Sequence, residues 1–329
     1  MTHSAAAILI AVIAFPALTL AFAAPPQSEG NAPSQSVAET KSTELKFYAQ
    51  AHPYLDEPLP QLKKHLRYLD GLKAATSQDF LRDVLSKAAA SSDELLDKLP
   101  NLISDEDVTQ TQWADVQKAV PTCVGMSGCV DPVPAAQKSN QFNYIVLAHA
   151  GEQHRLLLEE YRTTRENKPV PQMAQPYFQG FAAFWVIFSS SRRMESQFRY
   201  LGQQKIDGHA TFVVAFAQIP GSVEFPGLIV TREGSVPMLL QGIVWVDQKD
   251  FRIVLFHTDL LSPQPEIGYH KQTSDIRFGG VRIPTLKLEL WLPKSVLVDT
   301  EAEGHLWREQ HHYSKFRLYE AKSKIILQP

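Results

Sequence analysis

Between about Gln197 and Glu320 apolar runs of seven to eleven residues alternate with short polar breaks. The breaks carry turn chemistry at Asp207-Gly208, Glu233-Gly234, Asp247 to Asp250, Gly279-Gly280 and Glu303-Gly304. Glycine enters φ > 0 without a steric penalty, so each pair suits a strand reversal. The spacing predicts a β-meander. Upstream, Val108 to Trp113 reads as a first strand, and Phe142 to His149 with Gln153 to Arg162 as a hairpin turned at Ala150-Gly151. The count comes to ten or eleven strands with one embedded helix, joined by short turns, which favours an antiparallel, strongly curved sheet over a parallel α/β layout.

Helical periodicity occurs in two places. Leu59, Leu62, Leu66 and Leu69 predict an amphipathic helix ending near Gly71. A second is expected after Ser77 through Phe80, Leu81, Val84, Leu85 and Ala88. A third opens at Ser92 through Leu95, Leu96 and Leu99. Such short one-sided helices need a surface to lie on. Further along, Phe178, Phe181, Ala182, Trp185 and Phe188 follow helical spacing, predicting one helix over Tyr177 to Ser191 embedded among the strands.

The strands differ in their faces. Leu286, Leu288, Leu290 and Leu292 alternate with Lys287 and Glu289, as for one buried and one wet face. In Thr211 to Ile219, Leu239 to Val246 and Phe251 to Leu261 apolar residues occupy both parities, so both faces of the sheet centre must be covered. Two arrangements satisfy this: a curled sheet filled by side chains and padded by helices, or one enclosing an apolar cavity plugged by the Tyr177 to Ser191 helix.

The N-terminus bears on compartment. Ala5 to Leu20 is apolar apart from the break at Pro16, and Ala21-Phe22-Ala23 has the small-x-small form of a signal peptidase site. The mature chain is expected to begin at Ala24; the alternative is an uncleaved anchor, for which sixteen residues are short. This gives a leader over 1–23, a Ser, Gln, Ala and Pro rich tether over 24–42, a helical segment over 43–104 and a β domain over 105–329. A periplasmic or secreted protein with no stable membrane span after cleavage is expected. Cys123 and Cys129, the only cysteines, lie in a Gly- and Pro-rich loop that suits a structural disulfide in such a compartment, with free thiols the alternative. A formal charge of −3 provides no basic field for nucleic acid.

Candidate chemistry is sparse. Gly125-Met126-Ser127-Gly128 is not a nucleophile elbow. His149, Glu152 and His154 match no metal-ligand spacing. His311 and His312, adjacent on a strand, point to opposite faces, as do Glu159 and Glu160, which could meet Arg155 or Arg199 in ion pairs. No catalytic residue, metal or cofactor is expected.

The phrases Phe198 to Gly208, Gln241 to Asp247, Thr258 to Leu261, Trp291-Leu292-Pro293 and His312-Tyr313-Ser314 resemble a group of exported bacterial proteins of unassigned function. More distantly, the strand order, the plugging helix and the Gly-x-x-x-Ile-Asp-Gly hairpin resemble the LolA/LolB-like superfamily of lipoprotein carriers and periplasmic lipid-binding sensors. That resemblance implies an unclosed barrel whose apolar concavity holds acyl chains. The N-terminal helices and Cys loop depart from true carriers. The expected fold is therefore α+β, short N-terminal helices on a curved antiparallel half-barrel with an embedded helix. The expected function is non-enzymatic binding of a lipid or other apolar ligand, with Phe181, Trp185, Phe188, Phe212, Phe216, Trp245 and Leu255 as its lining. The alternative is an envelope module holding a peptide or protein partner on the concave sheet.

Overall fold

The computed structural model describes residues 9–11, 45–114, 122–123, 129–130, 133–150, 156–170, 180–181, 184, 187–224, 226–231, 234–283, 285–286 and 288–319. In chain order the elements are β1 (Leu9–Ala11), α1 (Leu59–His65), β2 (Lys73–Ala74), α2 (Asp79–Lys98), β3 (Leu102–Trp113), β4 (Thr122–Cys123), β5 (Cys129–Val130), β6 (Ala136–Ala150), β7 (Leu156–Thr163), β8 (Ser196–Ile206), β9 (His209–Gln218), β10 (Gly227–Thr231), β11 (Gly234–Met238), β12 (Leu240–Asp247), β13 (Ile253–Leu260), β14 (Tyr269–Ile283), β15 (Leu288–Ala302) and β16 (His305–Leu318).

Among the described residues eleven strands form one unclosed antiparallel sheet in the order β2-β8-β9-β12-β13-β14-β15-β16-β3-β6-β7, the expected α+β half-barrel. Asp207 (φ 50) with Gly208 (φ 87) and Glu303 (φ 51) with Gly304 (φ 76) make the predicted tight reversals. Two expectations fail. Gly279 and Gly280 lie inside β14, paired with Leu292 and Trp291, and the chain reverses only after Ile283. The run from Gly227 to Met238 is excluded from the main ladder because β9 pairs directly with β12. It forms a separate hairpin, β10–β11, whose outer neighbour is β1.

The two helices expected between Ser77 and Leu99 are one. α2 runs twenty residues, with Ser92 buried inside it rather than capping a new start. No Gly or Pro interrupts 79–98, and Ala88 to Ala90 are strong helix formers, so the first helix propagates through the serines. Pro100 ends it by disfavouring helical backbone at Leu99 (ψ 110). α1 begins behind Pro58 and stops at Leu66; a 3₁₀ turn over Arg67–Leu69 carries the same apolar stripe onward.

Apolar side chains on both faces of the central strands are covered, as their double parity requires. On one face Leu62, Leu66, Leu69 and Leu72 pack on Leu201, Val213, Ala215, Ile243, Trp245 and Leu255. On the other, side chains of β8, β9, β12 to β16, β3 and β6 meet in a single cluster, which only a curled sheet permits; this is the concave face. Gly202 (φ 139) sits in a β-bulge where an added Cβ would lie 2.0 Å from the Lys73 carbonyl, so glycine there lets β2 close the sheet edge.

A concave apolar site and its polar supports

The concave face is occupied by two elements. α2 presents Val84, Ala88, Ser92 and Leu96, with Leu81, Leu85 and Leu95 half-buried beside them. The segment containing Phe181, Phe184 and Phe188 supplies the rest; its backbone is helical at Phe184 and Ile187, inside the span predicted for the embedded helix. Phe188 is the hub, 5.9 Å from Phe216, 5.5 Å from Phe256 and 5.3 Å from Phe198, all edge-on. Phe184 packs on Phe256 at 5.7 Å, and Phe181 lies 4.9 Å from both Tyr144 and Tyr313. Phe212 stacks on Phe251, which in turn receives the Lys87 ammonium of α2 at 4.8 Å.

Beside the C-terminal half of α2 a cleft of about 160 Å³ lies between the helix and β13, β14 and β15. Leu95, Ile253, Phe278, Leu290 and Trp291 give it an apolar floor, and Lys98 and Arg252 stand at its rim with Glu94 and Glu289. Lys98 pairs with Glu94 at 2.6 Å, the Arg252 guanidinium lies 5.7 Å from the Trp291 ring, and the Trp291 indole donates to the Ile253 carbonyl at 2.6 Å. A cavity near 150 Å³ admits something the size of benzene. The cleft thus accepts a ring or a few methylenes; a whole acyl chain fits only if α2 moves off the face. That helix meets the sheet through Leu81, Val84, Leu85 and Ala88 in its first three turns and through Ser92, Leu95 and Leu96 beyond them. A second, open groove of about 520 Å³ is bounded by Leu55, Gln78, Gln197, Phe198 and Arg199.

The residues expected to line one site divide between two faces. Phe181, Phe188, Phe212 and Phe216 come together on the concave side. Trp245 and Leu255 lie on the opposite side under α1 and the following turn, with Tyr68 edge-on to Trp245 at 5.8 Å and the indole donating to Gln204 Oε1 at 3.0 Å. Trp185 lies outside the described residues. A β-bulge where Trp245 and Val246 pair with Leu255 and Ile253 shifts the parity, so Ile253 is concave although Leu255 is not. Phe184, Phe256 and Phe278 belong to the concave surface too; only Phe256 lay in a run of double-sided apolarity, which gives no parity across a bulge.

Two polar clusters brace the structure, and both join residues remote in sequence. His257 on β13 is buried, with Nδ1 2.6 Å from Asp275 Oδ1 and Nε2 2.9 Å from Asp259 Oδ2. Tyr54 donates to Asp259, and Tyr68 donates to Asp275 at 3.0 Å, so the N-terminal segment is tied to the two carboxylates that flank this histidine. Burial pushes the imidazole pKa down, but hydrogen bonds and charge from Asp259 and Asp275 outweigh it and raise it to about 9. The second cluster lies on the concave side of β3, β7 and β16. Arg162 Nε and Nη2 donate to Glu106 at 2.5 and 2.7 Å, His311 Nδ1 approaches the same carboxylate at 2.9 Å, and Gln110 donates to Glu309. Burial raises the Glu106 pKa, yet Arg162 and His311 overcome it and hold the carboxyl at about 2.

His312 is exposed where His311 is buried, as adjacent strand positions require. Glu159 meets His149 at 3.5 Å and Tyr161, Glu160 accepts from Tyr144, and Arg199 donates to the Leu55 and Glu57 carbonyls rather than to either glutamate. Arg155, Glu152, His154 and Gly125 to Gly128 lie outside the described residues.

No family model matches the chain, and no curated protein matches it. Solved structures similar to it include a Vibrio parahaemolyticus domain described as an outer membrane lipoprotein-sorting protein, at 10% identity over 74% of this chain and 93% of that one, TM-score 0.40. A LolA superfamily protein from Nitrosomonas europaea is similar at 12% identity over 72% and 94% of the two chains, TM-score 0.34. A DUF1329 family protein from Desulfovibrio piger is similar at 11% identity over 74% and 94%, TM-score 0.33.

Proposed function

We propose that this is an exported, non-catalytic protein that binds an acyl chain or comparable apolar ligand on the concave face, entering at the cleft between α2 and β13 to β15. The observation that carries this reading is the amphipathic build of the cleft: Leu95, Ile253, Phe278, Leu290 and Trp291 below, and Lys98, Arg252, Glu94 and Glu289 at the rim. An acyl chain with a polar head satisfies both parts, at about 0.8 kcal/mol per buried CH₂. The face is filled in the resting state, so the ligand substitutes for α2 contacts rather than entering a void. Delipidated protein is expected to take up a fluorescent fatty acid saturably, and Leu95→Asp to weaken uptake at least tenfold, while Met194→Asp, at a well exposed site, leaves it unchanged. Equal affinity in both variants would remove the cleft from the account.

Export and a disulfide belong to the same reading. β4 and β5 place Cys123 opposite Cys129 in a two-stranded ladder, the register a cross-strand bridge needs. Alkylation of unreduced, unfolded protein is expected to leave both sulfurs unlabelled. Loss of so short a loop closure costs about 2 kcal/mol, which denaturant unfolding of Cys123→Ala measures. Ready labelling of both thiols would contradict the bridge.

A further inference from the structure

The β10–β11 hairpin is held against one end of the main sheet by Ile229, Val236 and Met238, packed on Leu260, Tyr269 and Ala302. Its hydrogen-bonding sides can be assigned. Leu228 pairs with Pro237, which has no N–H, so that pair is not a bonded one; antiparallel alternation then turns the N–H and C=O of Leu228 and Val230 away from β11. Pro237 agrees, since its carbonyl faces the other way and accepts from Tyr48 at 2.9 Å, while the same hydroxyl accepts from the Leu239 amide at 2.8 Å. The outer side of β11 is thereby engaged, and β10 offers the edge. Gly227 to Thr231 contains no charge and no proline, the usual guards of an exposed edge. Seated on it is β1, with Leu9 opposite Val230, Ile10 opposite Ile229 and Ala11 opposite Leu228.

β1 belongs to the 1–23 segment expected to be cleaved. We infer that the β10 edge is a strand-addition site for an extended, uncharged aliphatic stretch of another exported polypeptide, and that the chain's own leader fills it until processing. Backbone pairing through Leu228 and Val230 supplies affinity, and the absence of charge on β10 selects an aliphatic partner. This inference rests on leader removal and not on the acyl-ligand reading.

The test uses the full chain carrying Leu9→Pro and Ala11→Pro, which strips the leader strand of its donors, beside the unsubstituted chain. The probe is a fluorescent peptide of residues 5–15 with a solubilising lysine tail. Saturable one-to-one binding to the substituted chain is expected, at least tenfold tighter than to the unsubstituted one. N-methylation of the peptide at Leu9 and Ala11 should weaken it at least tenfold, whereas N-methylation at Ile10, whose N–H faces away from β10, should not. Leu228→Pro, which removes an outward donor and leaves the β10–β11 bonds intact, should lose binding while keeping its thermal transition. Binding indifferent to the methylated position would mean simple apolar uptake and overturns the proposal. So would a substituted chain that dimerises and ignores the peptide, since the occupant would then be a second copy.

Discussion

Arg162→Ala is expected to destabilise the fold by about 3–5 kcal/mol, because it leaves a buried carboxylate without its main partner. The Arg162 side chain is 3% exposed and Glu106 is fully buried, and the guanidinium spans both carboxylate oxygens. The same guanidinium lies 5.3 Å from the Tyr144 ring, so a packing contact is lost as well. His311 alone cannot replace a bidentate partner. Urea unfolding at neutral pH measures the cost, and the paired change Glu106→Leu with Arg162→Met should recover much of it by removing both charges. A loss below about 1 kcal/mol in the single variant would mean that Glu106 is solvated or neutral.

Stability is also expected to fall between neutral and alkaline pH through His257. Its folded pKa, raised to about 9 against an ordinary value near 6.5, means that the native state holds the proton more tightly than the unfolded chain. The contribution, on the order of 3 kcal/mol for such a shift, is fully present below about pH 6.5 and is lost as pH rises through about 9. His257→Leu removes the slope. It should also loosen the N-terminal segment, because Tyr54 and Tyr68 donate to the two carboxylates that flank the imidazole. Unfolding free energies at pH 6 and pH 9 in the parent and the variant check this; equal pH slopes would show that the imidazole is neutral in the fold.

What could be read from the sequence depended on locality. Hairpins turned at Asp207-Gly208 and Glu303-Gly304 were legible because two residues with positive φ reverse a strand by themselves. Gly279-Gly280 takes no positive φ and continues β14 opposite Leu292 and Trp291, so glycine alone does not mark a reversal. The need to cover both faces of the centre was legible from double parity, but which residues share a face was not, because the bulge at Trp245 and Val246 reverses parity along β13. The ionic clusters were hidden for another reason. Glu106 meets His311, 205 residues away, only because the last strand pairs with the first of the sheet's long strands. His257 and Asp259 are same-face strand neighbours, but no motif in the sequence singled them out, and Asp275, Tyr54 and Tyr68 join them only through tertiary packing.

In the proposed binding mode, stability and ligand uptake are opposed at the concave face. Leucines in place of Ala88 and Ser92 would strengthen the helix contact but close the route by which an acyl chain reaches Phe216 and Phe256. The binding account is tested most directly by native mass spectrometry of freshly purified protein. It predicts a species heavier than the bare chain by one acyl-bearing molecule, lost on organic extraction and restored by added fatty acid at one per chain. A bare chain before extraction, and again after incubation with fatty acid, would contradict it.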